Sequence, residues 1–327
     1  MNKRRKILVA LGAGALTVPF GAIAQQKGKV WRIGVLLESD SYVERIKIFK
    51  GGMRELGYLE GKDYSIEVRS SQGDIARLPA LAAELIALKV DLILTGGTPP
   101  AVAARKVTRE IPIVFPSAGD PVGSGLVATL SRPGGNVTGL ANGVASELIT
   151  KRLDLLRQML PGMRRVGFLH NPDNTANSAG LKQFETGCGK LHITSIRAPV
   201  RTAQDIPAAF DALKRDKAQG LIVAQAGPHF EWRDSIVEQA GKHRLPTIYP
   251  GGAFAEAGGL ISYASNVDEL WRRAATYVDK IFKGAKPGDL PVEQPTKFEF
   301  VLNMKTAKAL GIKIPGSVIV QATQVIE

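Results

Sequence analysis

Cysteine is nearly absent: Cys188 is the only one in 327 residues, so no intramolecular disulfide can form and the fold must be held by its core. It reads as a small buried residue on a helix. Histidine is scarce too, with four scattered residues and no His-Glu-x-x-His pair, so no metal and no cofactor are expected. There is no Gly-x-Ser-x-Gly elbow and no phosphate loop ending in Gly-Lys-Ser or Gly-Lys-Thr, which removes the commonest hydrolase and nucleotide-binding signatures. No low-complexity segment and no short repeat occurs. An enzyme is not expected.

What is present begins with an export signal. Lys3-Arg4-Arg5-Lys6 is followed by an apolar stretch from Ile7 to about Ile23, and Ala22 and Ala24 stand in A-x-A spacing, so cleavage is expected near Ala24 with the mature chain starting at Gln25. The Arg4-Arg5 pair permits either general or twin-arginine export. The only cysteine lies far downstream, which argues against a lipoprotein. The net charge of +13 falls to about +9 once the four basic leader residues are gone. The remaining basic residues are interleaved with acids on helix faces and there is no recognition motif, so a solvated basic surface is expected and nucleic acid is not.

About 300 residues remain, enough for two domains. The stretch Val90 to Val127 organises them. Val90-Asp91-Leu92-Ile93-Leu94 reads as a strand buried on both faces, Thr95-Gly96-Gly97 ends it, and Thr98 is placed to cap a helix opening with Pro99-Pro100 and running to about Thr108. A second strand, Ile111 to Phe115, releases the polar loop Ser117-Ala118-Gly119-Asp120-Pro121. Before this unit come a strand at Trp31–Leu37 ending in Glu38-Ser39-Asp40-Ser41, a helix to Leu56, an edge-like strand at Tyr64–Arg69 and a helix to Leu88. After a short strand at Val137–Leu140 the same alternation starts again, with strands at Arg165–Leu169, His192–Ala198, Leu221–Ala224, Pro246–Pro250 and Leu260–Tyr263. The pattern predicts two Rossmann-like α/β lobes joined by a multi-strand hinge, with a ligand cleft between them. The expected division is a leader at 1–24, a first lobe of 30–141 plus about 267–290, and a second of 142–266 plus about 291–327.

Several strings are specific. Gly57-Tyr58-Leu59-Glu60-Gly61-Lys62, Thr95-Gly96-Gly97-Thr98-Pro99, Gly119-Asp120-Pro121-Val122-Gly123-Ser124-Gly125-Leu126-Val127, Arg132-Pro133-Gly134-Gly135-Asn136-Val137-Thr138-Gly139, Glu256-Ala257-Gly258-Gly259-Leu260 and Asp289-Leu290-Pro291-Val292-Glu293-Gln294-Pro295-Thr296-Lys297-Phe298 occur in this order. With them the chain resembles the extracytoplasmic substrate-binding proteins of ABC transporters, in the group related to tryptophan- and tyrosine-binding components. The resemblance implies a type I periplasmic binding fold. It also implies a monomeric periplasmic carrier that closes on a small solute, an amino acid or other small carboxylate, and hands it to a membrane permease. A sensor that presents closed lobes to a membrane receptor is the alternative.

Ligand groups are expected on loops at the C-terminal strand ends. In the first lobe these are Ser39 and Asp40, Gly97 and Thr98, and Ser117 with Asp120. In the second they are Asn171 and Asn174, Gln225 with Ala226, and Tyr249. For an amino acid, the helix end after Gly97 would receive the carboxylate and Asp120 would pair with the ammonium.

Overall fold

A computed structural model describes residues 29–143 and 145–327; the expected leader lies outside them. The first sheet is built from β1 (Trp31–Leu37), β2 (Tyr64–Ser70), β3 (Leu92–Gly96), β4 (Ile113–Ala118) and β5 (Val137–Ala141). All its pairings are parallel, in the order β2-β1-β3-β4-β5. Its helices are α1 (Val43–Glu55), α2 (Leu78–Ala87) and α3 (Thr98–Val107). A parallel sheet needs crossover helices on both faces, and β1 shows the result. Ile33, Val35 and Leu37 face one core, Leu36 faces another, and each is fully buried, a contribution of about 1.5–3 kcal/mol per side chain. The polar-alternating β2 takes the sheet edge.

The second sheet has the order β12-β11-β10-β9-β8-β6-β7. In chain order its elements are α4 (Ala145–Met159), β6 (Arg165–His170), α5 (Thr175–Lys190), β7 (Thr194–Pro199), α6 (Asp205–Arg215), β8 (Gly220–Val223), α7 (Gly227–Glu231), α8 (Arg233–Lys242), β9 (Thr247–Tyr249), α9 (Gly252–Glu256) and β10 (Ile261–Ser265). The chain then returns to the first sheet as α10 (Val267–Phe282) and comes back as β11 (Phe298–Asn303), α11 (Met304–Leu310), α12 (Gly316–Ile319) and β12 (Gln324–Ile326). Only the β10–β11 pairing is antiparallel. The chain therefore passes between sheets after Ala141, after Ser265 and after Glu293. These crossings form the hinge of a two-lobed α/β protein.

Helix α10 is bound to the first sheet by an apolar stripe. Leu270, Trp271, Ala274, Tyr277, Val278 and Ile281 recur at helical spacing and all are buried in that lobe's core. Two hydroxyls fix it further: Tyr277 Oη donates to the Pro291 carbonyl at 2.7 Å and Tyr58 Oη donates to Asp279 at 2.9 Å.

The structure moves several boundaries. β3 starts at Leu92 rather than Val90 and runs through Gly96, because it pairs with β1 from Ile33↔Leu92 to Leu37↔Gly96. β4 carries through Pro116 to Ala118, shifting register between Phe115 and Ala118, so Ser117 belongs to a strand and not to a loop. The helix after β3 is capped by Gly97, at φ +102°, and begins at Thr98. The C-terminal tail, read only as apolar, supplies β12.

Helices α1 and α10 touch at Gly52, where an added Cβ would meet the Arg272 carbonyl oxygen and the Ala275 methyl. Backbone cannot yield as a side-chain tip can. Gly52→Ala should therefore destabilise by about 1–3 kcal/mol, read as a Tm several degrees below wild type, whereas Gly51→Ala, with no atom near its Cβ position, should leave Tm unchanged or raised.

Candidate functional site

Each sheet has one place where neighbouring strands lead their connections away in opposite directions, and ligands bind open α/β sheets outside the carboxyl ends of such strands. In the first sheet that place lies between β1 and β3, and in the second between β6 and β8. The ends of β1 and β3 carry Glu38 and Gly97; the loops after β6 and β8 carry Asn174 and Ala224-Gln225-Ala226. One cavity is lined by all of these, together with Tyr42, Ser117, Asn142, Arg152, Phe168 and Asn177. Its volume is about 80 Å³, room for roughly five to eight waters and so for one small solute such as an amino acid.

The lobes are closed around it. Ser39 Oγ donates to Glu231 Oε1 at 2.5 Å, Ser41 Oγ donates to the Gly227 carbonyl at 3.1 Å, and the Gly227 N–H reaches Glu38 Oε2 at 3.3 Å. Asn174 Nδ2 lies 3.5 Å from Glu38 Oε1, at the outer limit of a hydrogen bond. Glu38 is 1 % exposed. Burial, with the nearby Glu231 carboxylate adding to it, pushes its carboxyl up to about 7 against the two lowering contacts from Gly227 and Asn174.

From the other lobe comes Arg152, 4 % exposed, whose Nε and Nη2 donate to the Tyr263 carbonyl at 3.0 and 2.8 Å. Burial lowers its guanidinium to about 10, so it remains a cation at neutral pH. Two more polar atoms at the cavity have no partner, Ser117 Oγ and Asn142 Oδ1. Apolar contact is offered by Leu148, Ile149 and Phe168.

Of the residues expected from sequence, Gly97, Thr98, Ser117, Asn174, Gln225 and Ala226 are brought together on this cavity. Thr98 contributes to its shape: its Oγ1 accepts from the Gly119 N–H at 2.9 Å and ties the two first-lobe loops. The other five do not line it. Ser39 is buried in the contact with Glu231, and Asp40 is exposed on the turn Asp40–Tyr42. Asp120, at φ +42°, turns its carboxylate onto the Gly123 N–H at 2.8 Å. Asn171 shapes the loop after β6 by accepting from the Asp173 N–H at 3.0 Å. Tyr249 is stacked on Phe254 in the second-lobe core, 5.1 Å between centroids.

Glu38, Tyr42, Asn142, Arg152 and Asn177 were not among the expected residues. Two had a readable signal. Glu38 directly follows the buried apolar run Ile33–Leu37 of β1 and opens the polar loop. Arg152 falls within the apolar stripe Ile149, Leu153, Leu156 of α4 at i+3 and i−1, i−4 spacing, so an amphipathic helix must bury it.

Comparison with known proteins places this geometry. The ABC transporter substrate binding protein family matches residues 31–326. A tyrosine-binding protein of Clostridioides difficile is 26% identical over 329 residues, covering 96% of this chain and 94% of that protein. The structure of an ABC domain in complex with L-Trp from Streptococcus pneumonia is 26% identical with a TM-score of 0.83, covering 91% of this chain and 100% of that one. A leucine-binding protein of Thermotoga maritima, at 15% identity and a TM-score of 0.60 over 78% of this chain and 83% of its own, shares the type I periplasmic binding fold.

The raised Glu38 carboxyl has a defined effect on stability. Its folded value, about 7, exceeds the ordinary 4.5, so the folded state binds the proton more tightly. The closed form is most stable below about 4.5 and loses about 3 kcal/mol as pH rises to about 7. Glu38→Gln, which keeps the shape without the charge, should therefore shift the ligand-free protein toward closure at pH 8, read as a radius of gyration below that of wild type in solution scattering, and leave it nearly equal at pH 4.5.

Proposed function

The chain belongs to the ABC transporter substrate binding protein family, and from that premise we propose that it captures an amino acid or another small carboxylate, aromatic side chains included, in the cavity between its lobes. A single observation carries this reading: a cavity of amino-acid size, walled by both lobes at their strand switch points, holds a buried guanidinium with no acidic partner among the described residues. The names of two relatives, one tyrosine-binding and one bound to L-Trp, support the same class of solute.

The mechanism follows from a two-state protein. An open form admits the solute, which gains contacts from both lobes only on closure, so binding shifts the population to the closed form. Lobes of 30–141 with 267–290 and of 142–266 with 291–327 move as units on the three crossings, where few residues must change φ and ψ. The closed form is the one offered to a permease of the cytoplasmic membrane. The protein works as a periplasmic monomer after its leader is removed near Ala24; no described helix is long and apolar enough to cross a membrane. No catalytic group is assigned.

The chain starting at Gln25 tests this in a thermal-shift screen of amino acids, aromatic and aliphatic carboxylates, nucleobases and sugars. Ligand bound only to the folded state at 100 Kd raises stability by about 2.7 kcal/mol. Amino acids or small carboxylates should raise Tm by several degrees and reduce the radius of gyration in solution scattering. Shifts from sugars or nucleobases alone would overturn the reading.

A further inference from the structure

The same cavity is lined by a buried carboxyl group and a buried guanidinium, on opposite lobes, and neither has a counter-ion among the described residues. Glu38, from the end of β1, meets only the Gly227 N–H and the distant Asn174 amide; the charged group nearest it is another anion, Glu231. Tyr42 faces it from the first lobe, and Arg45 covers the far side of Tyr42 and reaches Asp268. Arg152, from α4, spends two donors on the Tyr263 carbonyl, and among the described residues no carboxylate lies within 4.0 Å of it. Buried charges are retained when something pairs them. Among the described residues nothing does.

We propose that the solute is a zwitterion whose cation seats on Glu38 and whose anion seats on Arg152, so that the solute's own charges replace the missing counter-ions and join the two lobes. The inference rests on the solute-binding reading above and narrows it. A carboxylate without an ammonium leaves Glu38 buried and unpaired, an amine without a carboxylate does the same to Arg152, and a neutral sugar leaves both. An α-amino acid carries both groups, and its side chain is left to the wall of Leu148, Ile149 and Phe168. Ser117 Oγ and Asn142 Oδ1, unpartnered at the cavity, complete the polar end.

The assignment differs from the one the loops suggested. Asp120 is committed to the Gly123 N–H, and Pro99 and Pro100 remove two N–H donors from the first turn of α3, so that helix end offers an anion less than an ordinary one. Cation and anion are each received by a side chain instead.

Isothermal titration at pH 7.5 tests it with three matched sets. They are L-leucine, 4-methylpentanoate and isoamylamine; L-tyrosine, 3-(4-hydroxyphenyl)propanoate and tyramine; and L-tryptophan, indole-3-propanoate and tryptamine. In at least one set the amino acid should bind roughly 30-fold or more tighter than both analogues, the loss that follows truncation of one partner of a buried charge pair. Glu38→Gln should abolish the advantage over the deaminated analogue, and Arg152→Gln the advantage over the amine. An analogue binding within about threefold of its amino acid in every set that binds would overturn the inference. So would a Glu38→Gln protein that loses affinity equally for all three, since a residue that merely latches the lobes weakens every ligand alike. Binding confined to plain carboxylates would defeat the zwitterion and leave the carrier reading intact. The wild-type comparison needs no variant, and near-UV circular dichroism confirms that each variant is folded.

Discussion

An acid and a base, Glu38 and Arg152, buried on opposite lobes of one cavity and without counter-ions among the described residues, are the constraint on which the molecule turns. Leaving one such charge uncompensated costs several kcal/mol. Closure is therefore opposed in the absence of solute and favoured in its presence, which is the differential a two-state carrier needs. The hydrogen bonds of Ser39 and Ser41 to Glu231 and Gly227 pull the other way and hold the lobes in contact. The balance sets affinity: too strong a latch would close an empty cleft, and too weak a one would release the solute.

The fold positions these charges by simple means. A parallel sheet whose order reverses between β1 and β3 opens a crevice beyond those strands, and Glu38 is the first residue into it. The second sheet does the same between β6 and β8. Arg152 has a further connection. Its guanidinium holds the carbonyl of Tyr263, two residues before the crossing at Ser265, and the Tyr263 ring stacks on Phe298, which follows the last crossing, at 5.6 Å and 8°. Whatever engages Arg152 is thus linked through one side chain to two of the three segments on which the lobes turn. The chain is the solute-binding component of an ABC importer, and its ligand cavity and its hinge share residues.

Much of this was legible in the sequence, for reasons that can be named. Runs such as Ile33 to Leu37 and Leu221 to Val223 are apolar throughout because helices cover both faces of a parallel sheet, and the turn residues between them give the alternation. The return of α10 to the first sheet was visible in the spacing of Leu270, Ala274, Tyr277 and Val278. What misled was the assumption that ligand groups sit on the most polar loops. Asp120 and Asn171 look like ligands and serve turns instead, because a short carboxylate or amide beside its own backbone N–H satisfies that donor first. Glu38 looked like the start of an exposed loop; only the second lobe, packed over it, makes it buried. Tyr249 ends a strand at the expected edge, yet its ring turns into the core, and the direction of a side chain at a strand end depends on register that a single strand does not reveal. β4 was expected to end at Phe115 and runs on to Ala118 past Pro116, which lies within the register shift of the strand, an irregularity of the kind that tolerates a residue with no N–H.

The central claim is that the solute supplies the cation that Glu38 lacks. Its most direct test is a crystal structure with L-leucine or L-tyrosine, whichever binds. The account predicts the solute's ammonium nitrogen about 3 Å from a Glu38 carboxylate oxygen. An ammonium received by another group, with Glu38 turned away from the solute, would contradict it.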